Sequence, residues 1–274
     1  MIRLLGAVAA AARRIGLRGA ARAGVAVVDA ALLRVGRPPL IAHVDGVAIR
    51  GFLRHRSFLA DAMRPRATYA ELFQQLLKPG MTVVDAGAHV GLYSVLAARG
   101  VGPAGVVIAL EPDLYNLAAL RVNVDRADAS NVEVVAEALA DGAGTARFYE
   151  TRSTIGSSLI ERDEAKARSV RTTSIDLLLQ GRDPDTLLVK LNIEGAEPLA
   201  LAGMRDVLAR VDPVAILVEV NPPLVEAAGE DVGTLVADLR AQGFAVEYVD
   251  LSRQAGVPLP LPVPKGHLLA RRGL

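Results

Sequence analysis

The stretch that most limits what this chain can fold into is Thr82 to Ser94, TVVDAGAHVGLYS. Thr82, Val83 and Val84 form a short apolar, β-branched run of the kind that makes a buried parallel strand. Asp85 closes it with a carboxylate, Gly87 and Gly91 bracket a turn, and Leu92 to Arg99 reads as helix. Glycine there permits backbone angles that a Cβ forbids and lets a ligand approach the main chain. The turn leads into a helix N-terminus, whose unpaired N–H groups favour negative charge. In an open parallel sheet, such a strand–turn–helix unit predicts a nucleotide-type site at the carboxyl end of the strand.

The register of the turn narrows the choice of nucleotide. A dinucleotide fingerprint needs G-x-G-x-x-G, whereas this chain reads D-x-G-x-x-x-G, with Asp85 in the place of the first glycine. An acid there is awkward beside a pyrophosphate and useful beside a cation. S-adenosylmethionine carries an ammonium and a sulfonium. Val106 to Leu110 (VVIAL) reads as a second buried strand, with Glu111 and Pro112 at its end. A carboxylate at that point can accept hydrogen bonds from both ribose hydroxyls. Together Asp85 and Glu111 point to S-adenosylmethionine. Asp85, Gly87, His89 and Gly91 fall at its methionine end, His89 through its backbone rather than its ring. Glu137 and Ala138, just past a third strand over Asn131 to Ala136, are placed to meet the adenine.

Alternating elements continue through the body. Asp113 to Arg126 reads as helix, Ala146 to Thr151 as a strand in an added hairpin, and Ser174 as the cap of a short helix. Leu187 to Asn192 is a fourth core strand running into IEGAE, followed by a helix through Leu208. A fifth strand ends at Glu219, Asn221 and two prolines; helix Val232 to Ala241 and strands Phe244 to Val249 and Gly266 to Ala270 complete the body. Such alternation predicts a parallel sheet with helices on both faces. Ahead of it, Met1 to Arg34 reads as one or two amphipathic helices. Ile41 to Phe52 reads as a hairpin around Asp45-Gly46, and Ser57 to Leu77 as helix. The expected division is a basic extension over 1–78 and a cofactor-binding domain over 79–274.

Composition removes several functions. The chain has no cysteine, which excludes thiol catalysis and thiolate-bound metals. Its four histidines (His43, His55, His89, His267) are scattered, so no metal site is expected. The net charge of +1 hides an asymmetry: residues 1–80 hold 13 Lys/Arg against 4 Asp/Glu, and residues 81–274 hold 18 against 26. The acidic body argues against a nucleic-acid substrate. The basic extension is either a solubilised helical arm or a contact for an anionic partner such as a membrane surface. The first residues resemble a weak signal peptide, but S-adenosylmethionine is an intracellular metabolite, and a cytoplasmic protein is expected.

With these pieces in order, the chain resembles the FkbM family of S-adenosylmethionine-dependent methyltransferases over about Leu77 to Val249. DAGAHVGLYS (Asp85 to Ser94), ALEPDLYNLAALRVN (Ala109 to Asn123) and KLNIEGAE (Lys190 to Glu197) carry the resemblance. It implies an α/β, Rossmann-like class I methyltransferase fold with a seven-stranded, mostly parallel sheet. It also implies O-methylation of a small natural product or sugar. The family shows K-x-D-x-E-G-x-E where this chain has Asn192, and an amide cannot take up a proton as a carboxylate can. Asn192 therefore either orients substrate or marks altered catalysis. A cofactor-binding homologue without activity stays open, as does a less favoured NAD-dependent oxidoreductase.

In-line methyl transfer needs alignment of acceptor oxygen, methyl and sulfur, and removal of the hydroxyl proton. The strand ends offer Glu194 as the first candidate base, with helix capping as its alternative role. Glu219 is a second base or a substrate ligand, and Lys190 a buried partner for one of these two acids. Ser157 and Ser158 are candidates to line the acceptor site.

Overall fold

The computed structural model describes residues 24–63, 69–151, 156–161, 165–253 and 255–273. It begins with a helix over residues 24–34 (α1). A hairpin of β1 (Leu40–Val44) and β2 (Val47–Gly51) follows, then a 3₁₀ turn (Leu53–His55), α2 (Arg56–Ala62) and α3 (Tyr69–Leu76). Val44 pairs with Val47, so Asp45 and Gly46 alone make the turn, at φ of 48° and 74°. These mirror-image turn angles match the twist of the flanking strands.

The body then alternates: β3 (Thr82–Ala86), α4 (Leu92–Val101), β4 (Val106–Leu110), α5 (Leu114–Arg126) and β5 (Val132–Val135). A three-stranded insertion comes after it, of β6 (Ala138–Leu139), β7 (Gly144–Glu150) and β8 (Lys166–Thr173). Next come α6 (Ile175–Leu178), β9 (Leu187–Leu191), α7 (Glu197–Ala202), α8 (Arg205–Arg210) and β10 (Val214–Val220). The chain closes with α9 (Pro222–Ala227), α10 (Val232–Ala241), β11 (Ala245–Asp250), β12 (Ala255–Val257) and β13 (Gly266–Arg272).

The main sheet runs β12-β11-β13-β10-β9-β3-β4-β5. From β10 to β5 every pairing is parallel, while β13 joins β10 antiparallel and carries β11 and β12 at the far edge. The eighth strand, beyond the expected seven, is the three-residue β12. Side chains alternate across the pleat. Val84, Ile108, Val189 and Ile216 pack on one face with α7, α8 and α10. Val83, Val107, Leu188 and Leu217 pack on the other with α4 and with Phe52, Leu59 and Phe73 of the N-terminal segment. The described part of that segment thus shares its core with the sheet, across the boundary expected at residue 78.

Other departures have local causes. The single helix expected over Ser57 to Leu77 is two helices, on either side of residues 64–68, which lie outside the described residues. The helix expected through Leu208 is divided into α7 and α8. The two prolines that close the fifth strand also open α9, where their missing N–H groups fall on positions that have no intrahelical partner anyway. The readings of residues 1–23 as a helical arm, leader or membrane contact lie outside the described residues. Among the described residues, no helix is long and apolar enough to cross a membrane.

Candidate active site

A cavity of about 340 Å³ opens across the carboxyl ends of the parallel strands, a volume suited to a small ligand. It runs from Glu111, Glu137 and Ala138 at one end to Glu219 and His267 at the other. The strand order makes this a line: β4 and β10 are three strands apart, ~14 Å at the usual strand spacing.

At the first end, Glu111 follows β4 and is 4% exposed. Its Oε2 accepts the His89 N–H and its Oε1 the Asp113 N–H, both at 2.8 Å. Burial pushes its carboxyl up to about 8, helped by the charge of Asp113, and the two N–H donors offset this only in part. Asp113 in turn caps α5 by accepting from Tyr115 and Asn116 N–H. Pro112 lines the cavity, and its carbonyl accepts from Arg168 of β8. Glu137 also lines it while paired with Arg171 at 3.1 Å. Ala138 stands there with Leu139, Phe148 and Leu159, an apolar wall contributed by the insertion.

The glycine turn forms the floor. Gly87, at φ 73°, lies so close to Asn192 that a Cβ would overlap its carbonyl oxygen. Gly91 does not reach the cavity; it sits against the Leu120 side chain of α5, so its small size serves helix packing. His89 uses its backbone N–H on Glu111, as expected, but its ring lines the cavity as well. The ring packs on Phe58 and His55 at 4.5 and 5.2 Å, and its Nε2 is buried with no hydrogen-bond partner among the described residues. Burial, with the charges of His55 and Lys190, holds His89 well below the ordinary imidazole range.

Asp85 departs most from expectation. It is 0% exposed and lies behind the cavity wall. Lys190 Nζ donates to its Oδ1 at 2.8 Å and Ser94 Oγ to its Oδ2 at 2.7 Å. A carboxylate this deep is tolerated only when paired, so it holds Lys190 rather than touching a ligand. Lys190 itself lines the cavity and lies 4.9 Å from the Tyr93 ring centroid. The partner expected for this lysine was Glu194 or Glu219; Asp85, directly opposite it on β3, takes that place.

The β9 tip carries Asn192, Ile193 and Glu194, all on the cavity wall. Glu194 adopts φ 56°. The carboxylate that ties this loop together is Glu197, which the sequence did not single out: it accepts from Ile193 and Gly195 N–H at 3.3 and 2.9 Å. Burial raises the Glu197 carboxyl to about 7. Ser158 lines the cavity too, its hydroxyl donating to the Glu194 carbonyl at 2.8 Å and accepting the Ile160 N–H. Ser157 lines the cavity and accepts from Thr151 N–H.

At the second end, Glu219 of β10 faces His267 of β13, Oε2 to Nε2 at 3.6 Å. Burial raises this carboxyl, but His267, Lys190 and Lys265 outweigh it and hold it below the usual range. Tyr69 stacks on the His267 ring at 4.2 Å, and its buried hydroxyl has no hydrogen-bond partner among the described residues. Among the described residues no group of three potential metal ligands occurs.

A parallel sheet with an acid at the second strand tip, a glycine turn beside it and a ligand-sized cavity above is the arrangement of a nucleotide-type binding site. Residues 85–246, more than half of the chain, match the Methyltransferase FkbM domain, and the chain belongs to that family. Its methyl donor is S-adenosylmethionine. The donor fits the wall: Glu111 can accept from ribose hydroxyls, and the orphaned His89 Nε2 offers a further polar contact. Over 65 residues the chain is 46% identical to ribosomal RNA large subunit methyltransferase E of Xanthomonas oryzae, a stretch covering 22% of this chain and 30% of that protein. It therefore spans about a third of the length of such curated relatives. A SAM-dependent O-methyltransferase from Thermotoga maritima is 13% identical with TM-score 0.43, covering 87% of this chain and 79% of that one. A SAM-dependent methyltransferase from Aquifex aeolicus is 17% identical with TM-score 0.40, covering 71% and 82%.

Proposed function

We propose that the protein transfers a methyl group from S-adenosylmethionine to a hydroxyl oxygen of a small molecule, of the polyketide or sugar type, in the cytoplasm. The observation that carries this reading is the continuous cavity from Glu111 to Glu219 across the strand tips. Its length allows adenosine over β4 and the insertion, the methionine portion over β3 and β9, and an acceptor over β9 and β10. Glu111 would hold the ribose, Glu137 and Ala138 with Phe148 the adenine, and Gly87 the close approach of the methionine portion. A small acceptor is favoured over RNA because the body from residue 81 onward is net acidic, and phosphate-backbone recognition asks for a basic face.

Calorimetry with S-adenosylmethionine and with NAD tests the cofactor: micromolar binding of the first and none of the second is expected. Methyl transfer to a panel of polyketide and sugar hydroxyls, with a ribosomal RNA fragment as a separate arm, tests the acceptor. Transfer to the RNA alone would overturn the small-molecule reading. Asn192 lines the cavity, so the panel is repeated with Asn192→Asp. A wild type inert on every acceptor beside an active Asn192→Asp would make this chain a cofactor-binding homologue without activity.

A further inference from the structure

If the acceptor is a hydroxyl, as the O-methylation reading holds, its transfer leaves a proton to be placed, and the role of His267 rests on that reading. When bound, S-adenosylmethionine supplies the methyl carbon: an O–C bond forms as the S–C bond breaks, and S-adenosylhomocysteine leaves uncharged. The hydroxyl proton must then pass to a protein group. Most polar groups on the wall are committed elsewhere. Lys190 is bound to Asp85, Asn192 offers only an amide, and Glu111 stands three strands away at the other end of the cavity. Burial and the neighbouring charges hold the Tyr69 hydroxyl well above its ordinary range, so it stays protonated.

Against Glu194 of the β9 tip, the rival base on the same wall, stands a cluster that three distant parts of the chain build. Glu219 and His267 are register partners on antiparallel β10 and β13, which brings their side chains to 3.6 Å. The Tyr69 ring of α3 lies on the imidazole at 4.2 Å with 30° between planes, and all three residues line the cavity. A carboxylate on one ring nitrogen and an aromatic face against the ring fix its orientation. The carboxylate also stabilises the imidazolium that proton uptake creates.

We infer that His267 takes the acceptor's hydroxyl proton, with Glu219 positioning the ring and balancing its charge and Tyr69 packing it in place. In-line attack puts the acceptor oxygen ~3 Å from the methyl group, so a base on that oxygen also lies near the sulfonium. A protonated His267 must therefore oppose S-adenosylmethionine and leave S-adenosylhomocysteine, which lacks the charge, unaffected. The charged and titratable groups around the ring are Glu219 and Lys265, Tyr69 on α3, Lys190 on β9 and Tyr93 on α4. His267 is the one imidazole of that set. Glu111 at the adenosine side and His89 at the methionine end line parts of the cavity that would meet portions common to both ligands.

The test compares the affinities of the two ligands by calorimetry from about pH 5 to about pH 8, the imidazole window. It uses the wild type, His267→Gln, Glu219→Gln and Glu194→Gln. The wild-type preference for S-adenosylmethionine should fall about tenfold as the pH is lowered, the scale for two like charges ~6 Å apart in a partly screened site. His267→Gln should abolish that dependence while keeping S-adenosylhomocysteine affinity, which also certifies its fold; His267→Asn serves if it does not. Glu219→Gln should lower the methyl-transfer rate while keeping S-adenosylhomocysteine affinity, because the ring then lacks its positioning carboxylate. Glu194→Gln should leave the pH dependence in place. A wild-type ratio flat with pH overturns the inference, and so does a dependence that survives His267→Gln or disappears in Glu194→Gln. Failure of the wild type to bind either ligand overturns the methyltransferase reading itself, a result distinct from the others.

Discussion

Glu111 and Glu219 stand at opposite ends of one cavity, and their carboxyls are driven in opposite directions. Glu111 is held by backbone N–H groups of His89 and Asp113, which are dipoles; burial wins, and its carboxyl rises to about 8. Glu219 is also desolvated, but full or potential charges on His267, Lys190 and Lys265 face it, and its carboxyl falls below the ordinary range. Dipoles orient a carboxylate for ligand hydroxyls without neutralising it, whereas cationic side chains keep it ionised. The first arrangement suits recognition of a ribose and the second suits handling of a proton.

The contrast can be broken at several points. Asp85→Asn should have the largest effect, because Lys190 would remain buried without its counter-charge. A loss of ~3–5 kcal/mol in denaturant unfolding is expected, with the double variant Asp85→Asn/Lys190→Met recovering much of it. Next, Glu111→Gln should weaken S-adenosylmethionine binding by up to about tenfold, the scale of a lost neutral hydrogen bond, as read by calorimetry. The third test is pH. Because the folded Glu111 carboxyl lies above its unfolded value, its contribution to stability is complete below about pH 4.5 and is lost as pH rises towards about 8. The ligand-free wild type should therefore lose stability across that window relative to Glu111→Gln, by at most ~1.4 kcal/mol per pH unit. Glu219, lowered on folding, contributes in the opposite sense: its share is present above the ordinary carboxylate range and lost as acid protonates it. The smallest effect belongs to Ser158→Ala, ~1 kcal/mol for the lost hydrogen bonds, visible as faster hydrogen exchange at Ile160 N–H.

The two ends also differ in how far they could be read from the sequence. The Glu111 end is encoded within one βαβ unit: apolar runs of strand length, two glycines, and Asp113 as a cap, all set by neighbours along the chain. Glu219 was visible as a strand-end acid, but its partner was not. His267 meets it only through the antiparallel register of β13, and no local pattern states that register. Tyr69 and Phe58 read as core residues of a helix, and nothing in their spacing showed which side would meet the cavity. Asp85 shows the converse failure. Its position at a strand tip was legible, but the lysine opposite it on β9 decides that it turns inward. Glu194 and Glu197 share one motif, and only the backbone path of the loop shows that Glu197 ties the loop together.

Asp29 of α1 is wholly buried, and its two oxygens accept the N–H groups of Leu53 and Arg54 at 2.8 and 3.0 Å. Those residues open the 3₁₀ turn that runs directly into α2, whose Phe58 and Asp61 line the cavity. This part of the cavity wall is therefore anchored from a point far upstream of the family-matched residues. Asp29→Ala would leave those two N–H groups without their acceptor and loosen that wall, while Glu111, held by the N–H groups of its own loop, stays in place.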